Sequence, residues 1–160
     1  MLLDKPSRKI LEILQRDCRQ PVAEVAAAVG LSPSACHRRI KMLEESGYIE
    51  RYVAQLNRRA LGFTLEFFVE VTLVAQREDA LNAFEAAVRQ TKEILECHLM
   101  AGGTDYLLRV VAADVADYER IYREHIAKLP GVARVTSHLA FRTVRGWSGY
   151  PVAASRAAER

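Results

Sequence analysis

Residues 32–47, SPSACHRRIKMLEESG, open on a Ser-Pro pair, run through a basic and partly apolar stretch, and stop at a glycine. Ser32 is a good helix N-cap and Pro33 suits the first helical position. Gly47 ends the run as a C-terminal glycine does. At helical spacing Cys36, Ile40 and Leu43 fall on one narrow face, which must pack on neighbours. Ser34, Arg38, Lys41 and Glu45 fall on the opposite face, with His37 beside them. The acids Glu44 and Glu45 are held back to the far end. A solvated helix gains from acids early and bases late, because its N-terminus is the positive end of the dipole. This helix reverses that order over most of its length. The reversal weakens it slightly, and an adjacent polyanion would offset the loss. Small residues followed by Arg and Lys are what a major-groove helix uses to reach guanine edges and phosphates.

Two helices are predicted ahead of this one. The first covers about residues 4–17, with Ile10, Leu11, Ile13 and Leu14 at helical spacing and Asp4 as N-cap. The second covers about residues 21–29, with Val22, Val25, Ala26 and Val29 as its stripe, Pro21 in its first turn and Gly30 at its end. Only GLS separates it from the third helix, a helix-turn-helix spacing. After Gly47, YIERYVAQLN suggests an extended segment, either a small β-wing or a strand leading onward, with Arg51 exposed. A three-helix interaction module without nucleic acid is the competing reading. The tight turn, the reversed charge order of the third helix and the overall charge balance together favour the nucleic-acid reading. Residues 1–59 hold 11 Lys+Arg against 7 Asp+Glu, a balance of +4, whereas residues 60–160 hold 12 against 13, a balance of −1. A basic head on a near-neutral body favours a nucleic-acid partner.

The body reads as βαββαβ, a ferredoxin-like α+β pattern. FTLEFFVEVTLVA alternates, with Leu65, Phe67, Val69, Val71 and Leu73 on one face and Thr64, Glu66, Glu70 and Thr72 on the other. Residues 78–91 are predicted helical, with Ala80, Leu81, Phe84 and Val88 inward. Strands follow over 94–101 and 106–113, joined by the turn GGTD. A helix over 115–129 points Tyr118, Ile121, Tyr122, Ile126 and Leu129 inward and stops at Pro130-Gly131. A fourth strand covers 132–141, and TVRGWSGYPV adds an extended piece. The resulting division is a winged helix-turn-helix domain over 1–50, a linker strand over 51–62, a C-terminal domain over 63–150 and a flexible tail over 151–160.

Other chemistry is sparse. The turn AGGTDY has two readings. It is a hairpin connection that needs Gly or Asp for its geometry. Alternatively its amide N–H groups hold a carboxylate while Asp105 attracts an ammonium, which suits a zwitterion such as an amino acid. The cysteines Cys18, Cys36 and Cys97 are odd in number and widely spaced, which argues against a disulfide framework or a zinc site and fits a reducing cytoplasm. Cys97 and His98 are adjacent on a strand and point to opposite faces. Cys36 lies on the inward face of its helix. No phosphate loop, nucleophile elbow or paired carboxylates occur at useful spacing, so no enzymatic activity, cofactor or metal is expected. The charged start MLLDKPSRKIL does not suit a signal peptide, and no apolar run is long enough to span a membrane.

Nearly the whole chain, about residues 3–145, resembles the leucine-responsive/asparagine-operon (Lrp/AsnC) transcription regulators. The resemblance is carried by LDKPSRKILEILQ, VAAAVGLSPSACHRRIKMLEESGYI, the linking LN…LGF and AGGTDYLLRV, in the expected order. Ser7 departs from it where the family often has an acid, and Pro21 where it often has a Ser cap. The resemblance implies a winged helix-turn-helix joined to a ferredoxin-like domain that forms dimers, then tetramers, octamers or larger rings. It also implies an amino acid or related metabolite bound near the glycine-rich hairpin, at Gly102, Gly103, Thr104, Asp105 and Tyr106, with Thr136 and Ser137 lining the same pocket. The residues expected on double-stranded DNA, in an inverted-repeat operator, are Ser34, His37, Arg38 and Lys41 in the major groove and Ser32, Arg39 and Arg51 on phosphates. A ligand-independent architectural DNA-binding oligomer and a thiol sensor using Cys18 or Cys36 remain as alternatives.

Overall fold

The computed structural model describes residues 3–152. They form two compact units: the chain up to Gln55 together with the chain from Arg145 onward, and residues Leu56–Val144 between them.

The N-terminal unit is built on three helices, α1 (Lys5–Leu14), α2 (Val22–Val29) and α3 (Pro33–Glu45). Each begins and ends for a local reason. The Asp4 carboxylate accepts from the Ser7 N–H at 2.9 Å and starts α1. Pro21 stands at the cap position of α2 and not inside its first turn, and offers no side-chain acceptor. Gly30, left-handed at φ 70°, ends α2, and the Leu31 N–H returns to the Ala26 carbonyl at 3.0 Å. Two residues later the Ser32 hydroxyl accepts from Ala35 N–H at 3.2 Å and starts α3. Ile10, Val25, Cys36 and Leu43, all fully buried, form the centre of the core.

Beyond Gly47, Tyr48 and Ile49 pack on that core, but residues 50–56 form no strand. The expected wing is therefore an extended segment: among the described residues no second strand lies beside it to complete a ladder. Its Tyr52 hydroxyl donates to Glu44 at 2.7 Å, which ties the segment to the end of α3.

The second unit carries β1 (Leu65–Leu73), α4 (Glu78–Gln90), β2 (Ile94–Leu99), β3 (Tyr106–Ala112), α5 (Val115–Glu124) and β4 (Val132–Leu139). The strands form one antiparallel sheet in the order β2-β3-β1-β4, as the ferredoxin-like pattern requires. Phe67, Val69, Val71 and Leu73 of β1 meet Tyr106, Leu108 and Val110 of β3, Phe84 and Val88 of α4, and Ile121 of α5. The helix expected over 115–129 ends at Glu124. His125 leaves helical geometry, and a single 3-10 turn, Ile126–Lys128, tucks Ile126 into the core. Tyr122, expected inward, is exposed at the edge of the stripe centred on Ile121.

The sheet face away from the helices also departs from expectation. Glu66, read as solvent-facing, is only 3% exposed. It accepts from Arg109 Nε at 2.6 Å, and Arg58 lies 3.9 Å from its other oxygen.

After β4 no further strand forms among the described residues, although an extended piece was expected over 143–152. Residues 145–152 pack with the N-terminal unit instead. The packing thus divides the chain at Val144, where the sequence alone carried the C-terminal domain to residue 150. The flexible tail expected over 151–160 falls, from residue 153, outside the described residues.

Candidate nucleic-acid interface and effector hairpin

Ser34, His37, Arg38 and Lys41 are all exposed along one side of α3. The first turn of α3 holds no acid and its last turn no base. Lys41 lies 3.7 Å from Glu45 at i,i+4, an exposed pair of small energetic weight. Ser32 is also exposed; its oxygen serves as the N-cap and lies 3.2 Å from the Ser34 hydroxyl. Arg51 is exposed on the segment after α3. The face is therefore cationic, small at its N-terminal end, and open.

Arg39 does not belong to it. Its Nη1 donates to Asp4 Oδ2 at 2.6 Å and to Ser7 Oγ at 2.9 Å, which fastens α3 to the start of α1. The residue expected on a phosphate is thus held, in this structure, by two groups of its own unit. Position 39 lies one residue round the helix from Arg38, towards the core. It also accounts for Ser7 in place of an acid: Ser7 is fully buried, and the charge Arg39 needs comes from Asp4.

The Ser7 hydroxyl first, then the Ser7 N–H and Arg39, hold the Asp4 carboxyl below its usual 3.8 against an opposing effect of burial. A carboxyl lowered by folding contributes stability that is present above the unfolded value and is lost as pH falls through the folded one. Stability of this unit should accordingly fall with acidification below pH 3.8. In Asp4→Asn that acid-dependent fraction should be missing when urea midpoints are compared across pH. An identical acid slope in both proteins would assign it elsewhere.

The hairpin between β2 and β3 separates into two parts. Met100 N–H donates to the Asp105 carbonyl at 2.8 Å and closes it. Gly102 and Gly103 are exposed, and a Cβ at either would meet nothing within 4 Å. Among the described residues the amides of Gly102, Gly103 and Thr104 donate to no protein acceptor. Asp105 is 7% exposed and both its oxygens are occupied. Oδ2 accepts from Leu73 N–H at 2.7 Å and Oδ1 from Gln76 Nε2 at 2.6 Å. Its expected part as an ammonium-attracting charge is thereby corrected: it anchors the hairpin to the end of β1. Tyr106 is buried against Phe84, ring centroids 4.4 Å apart, and donates to Glu85 at 3.0 Å. Burial, then that bond, push its hydroxyl up to about 12.

Thr136 and Ser137 do not join the hairpin as a pair. Being adjacent on β4 they face opposite sides of the sheet. Ser137 accepts from the Tyr118 hydroxyl on the helix side. Thr136 pairs with Glu70, one row beyond the row Tyr106–Val71–Val135.

Two family models match the chain: winged helix-turn-helix DNA-binding over residues 3–50 and Lrp/AsnC ligand binding domain over residues 66–146. The chain belongs to the Lrp/AsnC family. The Rhodobacter capsulatus proline dehydrogenase transcriptional activator is 43% identical to this family member over 143 residues, covering 89% of this chain and 93% of the relative. The Salmonella typhimurium leucine-responsive regulatory protein is 39% identical, covering 89% and 87%. A transcriptional regulator from Neisseria meningitidis, solved as a complex with L-Met, superposes with a TM-score of 0.89 at 32% identity, covering 94% and 97%. This Lrp/AsnC chain is a DNA-binding transcription regulator and not an enzyme.

Its cysteines fit that reading. Cys36 is buried in the core, and burial pushes its thiol up despite Arg39 nearby. The thiol of Cys97, half-buried between β2 and α4, is pushed to about 11 by burial. Both are poor sources of thiolate, which leaves exposed Cys18 alone in the thiol-sensor reading. Among the described residues no cluster of His, Cys, Asp and Glu could hold a metal, and no helix is long and apolar enough to cross a membrane. The sequence reading missed Gln76, Arg109 and Gln15. Only Arg109 left a signal, as a charge inside the apolar strand YLLRVVA.

Proposed function

We propose that the chain regulates transcription of an amino-acid metabolism or transport gene by binding an inverted-repeat operator as a homo-oligomer, under control of an amino-acid-like effector. The observation that carries the DNA part is the open cationic face of α3. Ser34, His37, Arg38 and Lys41 enter the major groove, and Ser32 and Arg51 touch phosphates. Two-fold dimers place half-sites about one helical turn, or a multiple, apart. The protein acts in the cytoplasm, on the nucleoid.

The effector part is supported by the free amides of Gly102, Gly103 and Thr104, a small nest suited to a carboxylate. Relatives named for leucine response and proline dehydrogenase activation, and a structural neighbour bound to L-Met, point to the same class. In this reading Asp105 and Tyr106 shape the hairpin without touching the effector, and Ser137 is engaged elsewhere.

Calorimetric titration of the twenty amino acids, paired with solution scattering, tests it. One or a few should bind and change assembly size, and Gly103→Pro, which closes off an amide, should abolish binding while leaving DNA affinity without effector intact. No binding by any of them, with assembly unchanged, would favour a ligand-independent architectural protein.

A further inference from the structure

The last described residues pack and bond within the unit that carries the three helices. Gln15, just past α1, turns its carboxamide to Tyr150 and makes both bonds of a strand-like pair. Nε2 donates to the Tyr150 carbonyl and Oε1 accepts from the Tyr150 N–H, each at 2.9 Å. Gly149 precedes it at φ 93°, and a Cβ there would lie 2.4 Å from Gln15 Oε1. Only glycine allows that approach. Val152 then packs against the core of the three helices, and its carbonyl accepts from Arg8 Nη1 at 3.1 Å. Arg8 and Gln15 stand two turns apart on one flank of α1.

The linker arrives elsewhere. The Tyr52 hydroxyl donates to Glu44 near the end of α3, and burial, then that bond, push it up to about 12. The two connections leaving residues 56–144 therefore end on different helices, one on α1 and one on α3. Between those helices sits the Arg39 bond to Asp4 and Ser7.

We propose that residues 145–152 are a strap which, with the Tyr52 attachment, suspends the DNA-binding unit from the C-terminal unit at two points. A head on one exposed linker turns freely, and events in the other unit are lost in that freedom. Two attachments on separate helices convert such events into a change in the angle between α1 and α3, and so in how α3 is presented.

Hydrogen exchange on the full-length protein tests this without an identified operator or effector. In the wild type, amides of residues 149–152 and of α1 should be protected together. Gln15→Ala should speed exchange in both by about tenfold and leave β1 and β3 unchanged. Gly149→Ala should do the same, and adding Gln15→Ala to it should change little more, because the contact is already lost. Saturation with a random-sequence duplex should alter exchange in residues 56–64 of the wild type. That transmitted change should vanish in Gln15→Ala while affinity for the duplex is kept. Fast exchange at 149–152 in the wild type, an unaffected α1 in Gln15→Ala, or transmission preserved in that variant would each overturn the strap.

Discussion

Arg38→Ala should weaken specific DNA binding by about 1–3 kcal/mol, roughly five- to 150-fold, and relax the preference at one base pair of each half-site. The size follows from what a guanidinium does in the groove: two parallel bonds to a guanine edge, lost together. The substitution is clean because Arg38 is exposed and, among the described residues, no acid holds it. Alanine is also the better helix former, so thermal unfolding should be unchanged or slightly raised. Arg51→Ala offers the contrast. An arginine on a phosphate carries no sequence information, so its loss should weaken binding to all duplexes alike and reduce the slope of log K against log salt by about one. Arg39→Ala should behave differently again, losing affinity only as far as the unit itself loses stability. Mobility-shift titrations on an operator selected from a random pool, run at several salt concentrations, separate the three. Unchanged affinity and unchanged base preference for Arg38→Ala would remove it from the groove.

The separation of Arg38 from Arg39 marks where sequence reading stops. Periodicity placed Cys36, Ile40 and Leu43 inward and Ser34, Arg38 and Lys41 outward, and the structure agrees. Adjacent arginines differ by about 100° round a helix, so both look available until the partner helix is known. Asp4 and Ser7 lie 35 and 32 residues away in sequence, and nothing local announces the bond. The same holds for the hairpin. GGTDY announced a turn and a special loop, but the turning inward of Asp105 depends on Leu73 and Gln76, about thirty residues earlier. The strand order was legible because βαββαβ leaves few ways to close a sheet with short connections. The return of Tyr150 to Gln15 was not, since a single carboxamide supplies both bonds and leaves no pattern in either segment.

Glu66 shows how such a long-range bond can dominate stability. Alternation along β1 assigned it to solvent, and it is 3% exposed. A carboxylate so placed needs hydrogen-bond partners, and Arg109 is the main one, at 2.6 Å. Arg109 also donates to Glu96 on β2 at 2.6 Å, so one guanidinium ties the central strand β1 to the edge strand through β3. Burial works against the guanidinium's charge, yet the two carboxylates raise its pKa overall. Arg109→Met keeps the stem and removes the charge. Glu66 is then left with Arg58 at 3.9 Å, beyond hydrogen-bond range. The expected cost to the C-terminal unit is about 1–2 kcal/mol, below the loss for breaking a fully buried pair from one side, because the Arg109 side chain is 34% exposed and Arg58 remains. Glu66→Leu added to Arg109→Met removes the stranded charge and should recover most of the loss, since a buried pair replaced on both sides by apolar groups is often neutral. Urea midpoints for the single and double variants decide it. If the double variant is no more stable than Arg109→Met, Glu66 was not stranded, and Arg109 owes its effect to packing on the sheet.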